Sequence, residues 1–239
     1  MTRCCDLEGV ARFSDRAAFY ARARPSYPPE AIAFVRGNAK RIVDVGAGTG
    51  ISTRLLSATG VDPNFAMLLA ADDALPRVQA RAEVLPFRDA SIDLVAAFNS
   101  FHWFQTDAFF DEARRVLRRD GRLALVWNDW DRSDAFTREF EQLMRSCAPP
   151  DFPPEDREAE VAPLYATKRF TDIERATLPH RHRLDYQLLE MRLQSMTYVP
   201  KAGAEWERVA RELAELFARY ADADGFVEHH YFASVFVSR

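Results

Sequence analysis

Apolar positions along the chain fall into two kinds of pattern. Short, mostly apolar runs occur at residues 41–45, 92–98 and 122–127, with a weaker one near 78–80. Such runs suit strands covered on both faces, as in a parallel sheet. Spaced apolar stripes lie between them. A helix is predicted over 51–58, and an amphipathic one over 107–118 that Asp120-Gly121 ends. Upstream, residues 14–23 predict a helix with Ser14 or Asp15 as cap and Pro25 as stop, and Pro28-Pro29 introduce another over 30–37. Strands alternating with helices predict a doubly wound parallel sheet. After Trp130 the pattern changes. A helix over 134–147 leads into a Pro-rich loop at 149–154, and helices follow over 187–196 and 203–220. Runs near 174–182 and 227–237 close the sheet as an antiparallel pair. No internal repeat is visible.

The strand at 41–45 runs into Asp44-Val45-Gly46-Ala47-Gly48-Thr49-Gly50. Glycines at alternate positions suit a tight turn into a helix whose backbone approaches a ligand closely. The spacing is not the G-x-G-x-x-G of dinucleotide folds, which counts against a dehydrogenase. With Asp44 ahead of it, the turn is poor for a pyrophosphate. It suits a ligand with a cationic end and no phosphate, such as S-adenosylmethionine. A second short apolar step ends at Asp62, where an α/β nucleotide site holds a ribose hydroxyl pair. Only eleven residues separate Gly50 from Asp62. That is near the lower limit of a parallel crossover. A stunted second strand is therefore expected, with Asp62 low or mobile.

The segment 43–50 resembles the first motif of class I S-adenosylmethionine-dependent methyltransferases, and 61–67 their second. Residues 82–87 and 91–95 resemble the third motif and the fourth strand. Phe101-His102-Trp103-Phe104, 112–117 and 121–127 are similar to the type 11, small-molecule branch. The likeness extends to 20–25 and to 193–200, so it covers nearly the whole chain. It implies a Rossmann-like, doubly wound, seven-stranded and mostly parallel sheet, the last strand antiparallel, with a helical lid. One domain over 1–239 is implied: an arm to residue 40, a cofactor-binding core over 41–130, then lid helices and closing strands.

The resemblance implies which residues hold the cofactor, S-adenosyl-L-methionine. Asp44, Gly46, Ala47 and Gly48 would surround its amino-acid and ribose parts, and Asp62 would take the ribose hydroxyls. Asn64 or Met67 would lie against the adenine, and Ala82 and Glu83 would bracket its amino group. Asn99 would bound the methionine part. Tyr20 and Arg24 lie in an arm folded over the cofactor, where Arg24 suits a carboxylate. Methyl transfer needs alignment in a dry pocket rather than a catalytic triad. His102 is the candidate general base, and Trp103 faces the sulfonium or a flat substrate. The aromatics Phe98, Phe101, Trp103 and Phe104 also suit plain packing of the sheet end. Ser195 and Tyr198, with Thr197, are candidate substrate contacts.

Composition narrows the partners. The net charge is −4 and Arg and Lys are interleaved with acids, which argues against a nucleic-acid binder; a base-flipping signature is missing after the fourth strand. The cluster Arg114, Arg115, Arg118, Arg119 suits a solvated helix end. Three cysteines in no metal spacing point to a reducing compartment, and His180, His182, His229 and His230 have no metal-like partners. No long apolar stretch is present, so a cytoplasmic protein without membrane contact or bound metal is expected. A small-molecule acceptor of undetermined identity follows, its methylated atom O, N or a carboxylate. The alternative is a binding protein of the same fold with an impaired cofactor site. Oligomeric state is not legible.

Overall fold

The computed structural model describes residues 17–150 and 156–239, and the side chains of Ala18 and Tyr20 lie outside that description. The expectations for Ser14, Asp15, Cys4, Cys5, the Tyr20 side chain and most of the Pro-rich loop therefore fall outside the described residues.

The first elements are α1 (Ala17–Ala23), α2 (Pro29–Arg36), β1 (Ile42–Val45), α3 (Ile51–Leu56), β2 (Thr59–Asp62), α4 (Phe65–Leu69), β3 (Arg77–Gln79) and β4 (Ile92–Phe98). A 3-10 turn at Phe101–Trp103 precedes α5 (Thr106–Val116) and β5 (Leu117–Trp130). Then come α6 (Ala135–Arg145), α7 (Arg157–Ala166), β6 (Glu174–Leu184), α8 (Tyr186–Gln194), α9 (Gly203–Tyr220) and β7 (Val227–Ser238). The strands form one sheet in the order β3-β2-β1-β4-β5-β7-β6. All pairings from β3 to β5 are parallel, and β7 runs antiparallel to both its neighbours. The expected mixed seven-stranded sheet is therefore present. Its strand order reverses between β1 and β4, and a crevice opens beyond the carboxyl ends of strands at such a point.

Two apolar layers cover the sheet. One face packs against Ala31, Val35 and Leu56 of α2 and α3. The other packs against Phe109, Phe110 and Val116 of α5 and Val161 and Leu164 of α7. A third cluster joins α6, α8 and α9 to Trp130, Val227 and Tyr231, and roofs one end of the sheet. Pro179 lies in β6, an edge strand, where a missing N–H leaves no ladder bond broken.

Three expectations need correction. The crossover is not stunted. Helix α3 stops at Leu56, and Ser57 enters the left-handed region at φ 52. Ala58 N–H returns to Thr53 O at 2.9 Å, so the chain reverses within two residues. Strand β2 then pairs in register with β1 and with β3. Next, Asp120-Gly121 does not end a helix. Strand β5 begins directly after α5, and the register steps from Ile92–Leu117 to Leu94–Arg122. Residues 118–121 bulge out, and the bend is tight enough that a Cβ on Gly121 would stand 2.9 Å from Leu117 Cδ2 and 3.0 Å from Arg118 O. Finally, α7 escapes the pattern because Pro163 interrupts it and acids open it; Asp156 caps it through Ala159 N–H.

The arginine cluster lies partly at the end of α5, with Arg114 and Arg115 in its last turn, but it is tied down rather than merely solvated. Arg115 pairs with Glu112 and Asp89 and donates to the carbonyls of Leu85 and Phe87, tying the loop before β4 to α5. Arg118 pairs with Asp93.

Candidate functional site

The glycine turn sits at the carboxyl end of β1. Gly46, Gly48 and Gly50 take φ of 71°, 55° and 80°, values that favour glycine. The space a side chain would fill at Gly46 is taken by Ser100, whose Cβ would be 2.4 Å away. Ser100 Oγ in turn donates to Val45 O at 2.8 Å, which clamps β1 to the loop after β4. The N–H groups of Gly46 and Ala47 donate to Val61 O at 2.8 and 3.0 Å. The turn is thus laced to both neighbouring strands.

Asp62 is buried at the end of β2. Its two oxygens accept from Gly48 N–H and Asn64 N–H, each at 2.8 Å. It is therefore fastened to the turn rather than low or mobile. Burial raises its pKa above the usual carboxylate range. Asp44 is wholly enclosed, and its Oδ2 accepts from Ser52 Oγ (2.7 Å) and Thr53 Oγ1 (2.6 Å) of α3. Burial pushes it up to about 6. Its Oδ1 and the buried Thr49 Oγ1 have no partner. A turn that offers acid oxygens and a hydroxyl, with no Lys or Arg between residues 44 and 50, fits a ligand with a cationic end better than a phosphate.

Beside the turn lies a cavity of about 210 Å³. The sheet ends contribute Gly46, Ala47, Gly48, Asn99, His102 and Trp103 to its wall, and the arm contributes Arg24. The roof contributes Arg192, Met196, Thr197 and Tyr198. Helix α1 packs on α8, so arm and roof close over the crevice together. Other expected contacts stand elsewhere. Asp44, Asp62, Asn64, Met67, Ala82 and Glu83 are outside this wall, toward β2 and β3. Asn64 Oδ1 caps α4 by accepting from Ala66 N–H and Met67 N–H. Met67 Cε would lie 3.2 Å from a Cβ on Gly48. Ala82 is buried in the core. Glu83 accepts from Gln105 N–H at 2.8 Å and from Arg81. Ser195 is fully buried, and its hydroxyl donates to Arg192 O at 2.6 Å.

Asn99 is the strained residue of the wall, at φ 48. Its amide donates to Tyr27 Oη (2.9 Å) and its Oδ1 accepts from Asn128 N–H (3.1 Å). Asn128 bonds His180 Nε2 and donates to Ser26 O. This network joins arm, sheet and edge strand. Asn99→Ala should lower stability by about 2 kcal/mol through the orphaned groups, and Asn99→Asp less, because the Asn128 bond survives. Urea titration checks the order; equal stability of the alanine variant would remove the network's role. His102 stands 3.8 Å from Glu160 Oε2, with its ring 5.3 Å from that of Trp103. The residues missed by sequence are Thr49, Asn128, Arg157 and Arg192. Their neighbours come from distant segments, and only a turn threonine beside the glycines gave any signal.

Burial holds His180 and His182 down to about 4 and His229 well below its ordinary value. Each is neutral when folded and gains a proton near pH 6.5 only on unfolding. Stability is therefore full above about pH 6.5 and is lost as pH falls toward about 4. The raised Asp44 acts oppositely below about pH 6, and the raised Asp62 acts in the same opposite sense. The melting temperature should drop between pH 7 and 5, and His229→Phe should flatten that slope. A pH-independent melting temperature would contradict this.

The family model described as "Methyltransferase domain" matches residues 43–125. An uncharacterised methyltransferase of Mycobacterium tuberculosis is 39% identical over 150 residues, 59% of this chain and 62% of the relative. The chain thus spans about three fifths of the length of that curated relative. One from Schizosaccharomyces pombe is 28% identical over 85% of this chain and 86% of its own length. A solved type II methyltransferase candidate from Anaeromyxobacter dehalogenans superposes with a TM-score of 0.68 at 22% identity, covering 90% of this chain and 97% of that one, a likeness of fold. No described helix is long and apolar enough to cross a membrane, and no cluster of three metal-ligating side chains occurs among the described residues.

Proposed function

We propose that this chain, whose residues 43–125 match the methyltransferase-domain model, is an S-adenosylmethionine-dependent enzyme that methylates a small-molecule acceptor. The observation that carries the reading is the glycine turn, closed by Asp62 at the switch point of the sheet and opening onto a cavity walled in part by aromatic side chains. When bound, the cofactor supplies an electrophilic methyl on a sulfonium. The chain's residues hold, align and dry it. Gly46, Ala47 and Gly48 border its amino-acid part, Asp62 its ribose, and Asn64, Met67, Ala82 and Glu83 its adenine. Arg24 closes from the arm, where its fork suits the carboxylate. Asn99 bounds the methionine portion. Trp103, in the cavity wall, would meet the sulfonium or a flat acceptor. Tyr198 and the buried Ser195 shape the acceptor side.

His102 is placed to take a proton from an acceptor O–H or N–H, with Glu160 beside it. His102→Gln should lower turnover about 100-fold while cofactor affinity stays unchanged. Unaltered turnover with the preferred acceptor would leave His102 a packing residue.

A small cavity and a net charge of −4 favour a small molecule over nucleic acid. A cytoplasmic location belongs to the same proposal. The rival reading, a binding protein with a dismantled cofactor site, rested on a stunted crossover, and the paired β2 removes that ground. Calorimetric titration with S-adenosylmethionine and S-adenosylhomocysteine tests the reading. Micromolar binding is expected; no binding at millimolar ligand would overturn it.

A further inference from the structure

Four arginines line the cavity, and they are not in the same electrical state. Arg157 pairs with Asp129 at 2.7 Å and with Glu160, and stacks over Trp127 at 4.4 Å. Arg145 pairs with Glu141 at 2.9 Å. Arg24 belongs to the cofactor reading above. Arg192 is different. It is 2% exposed, and its contacts are neutral: Ser195 Oγ at 3.4 Å, Met196 Sδ at 3.7 Å and the face of Trp130 at 5.6 Å. Its Nε has no partner, and among the described residues no carboxylate pairs with it. The nearby imidazoles of His182 and His229 are held neutral by burial.

A buried guanidinium without a counter-ion is costly to the fold, since desolvation is not returned by any pairing. Such a group is retained where an anion arrives to complete it, and a planar fork matches a carboxylate. Arg192 enters the cavity from the roof, whereas the glycine turn enters from the sheet. Arg24 and Arg192 both reach the sulfur of Met196, at 3.3 and 3.7 Å, so two forks converge on one neutral atom. The cofactor's methionine portion brings one carboxylate, which Arg24 serves. The second fork calls for a second anion.

We propose that Arg192 receives a carboxylate carried by the methyl acceptor, so that the substrate is a small organic acid with an apolar or aromatic body. This rests on the methyltransferase reading of the same cavity. The body would lie against Trp103, Trp130 and Tyr198. The carboxylate at Arg192 anchors the molecule; the pairing is electrostatic and transfers no proton.

The test uses the whole chain saturated with S-adenosylhomocysteine, probed with benzoate, phenylacetate, 3-phenylpropionate and cinnamate and with the primary amide of each. At least one acid should raise the melting temperature of the complex while its amide does not. Arg192→Met should weaken that acid about tenfold or more, leave affinity for S-adenosylhomocysteine unchanged, and raise the melting temperature of the free protein by removing an uncompensated charge. Arg192→Lys should keep part of the acid affinity. The inference falls if acids and amides act alike, or if no acid stabilises the complex. It also falls if Arg192→Met weakens S-adenosylhomocysteine, which would assign the fork to the cofactor, or if it lowers the melting temperature, which would make the cation structural. Failure of the parent protein to bind S-adenosylhomocysteine is a separate result and removes the methyltransferase reading itself.

Discussion

Gly46→Ala is expected to destabilise the protein by about 3 kcal/mol and to abolish cofactor binding. Two costs combine. The backbone at φ 71 is disfavoured for any L side chain by about 1–2 kcal/mol. The new methyl would also sit 2.4 Å from Ser100 Cβ and 2.7 Å from its Oγ, and such overpacking costs about 1–3 kcal/mol. Ser100 cannot yield freely, because its hydroxyl is bonded to Val45 O on β1. Relief must therefore come from the turn, which would lose its bonds to Val61 O. Adding Ser100→Gly should remove the clash but not the strain. Urea unfolding of parent, single and double variants separates the two. A single variant as stable as the parent would sink the account.

Asp62→Ala should produce the second-largest effect, chiefly on binding. The carboxylate holds Gly48 N–H and Asn64 N–H, and leaving two such donors bare costs about 1–3 kcal/mol each where water does not replace the acceptor. The same loss lets the turn move away from β2 and removes the acceptor for the ribose hydroxyls. The dissociation constant for S-adenosylhomocysteine is expected to rise about 100-fold, about 2.7 kcal/mol. Calorimetry with melting in parallel checks it. Equal affinity in both proteins would show that Asp62 serves the turn alone.

The central half of the sheet was legible because its information is local. The run 92–98 coincides with β4, and the step at 59–62 coincides with β2, since strands covered on both faces read as short, nearly continuous apolar runs. Pro28-Pro29 placed α2 through a backbone rule of the same local kind. What was not legible depends on partners remote in sequence. Ser195 looked polar and available, but the roof buries it against its own helix. Arg192, near a helix end, has the pattern of a solvated charge; only the packing of α1 on α8 and the position of Trp130 enclose it. The length of the crossover suggested a weak strand, because counting residues does not reveal that Ser57 turns left-handed and saves a turn of chain.

The place of β7 in the sheet has a consequence for how the molecule is made. It follows β6 in the chain, yet it lies between β5 and β6 and pairs with both. A nascent chain that has emerged only as far as residue 226 therefore carries a long, apolar, unzipped edge on β5 and a β6 with nowhere to dock. Such an edge invites pairing with other chains. Ribosomal synthesis must deliver residues 227–238 before this half of the protein becomes safe, so the interval between the emergence of β5 and that of β7 is the stage most exposed to aggregation.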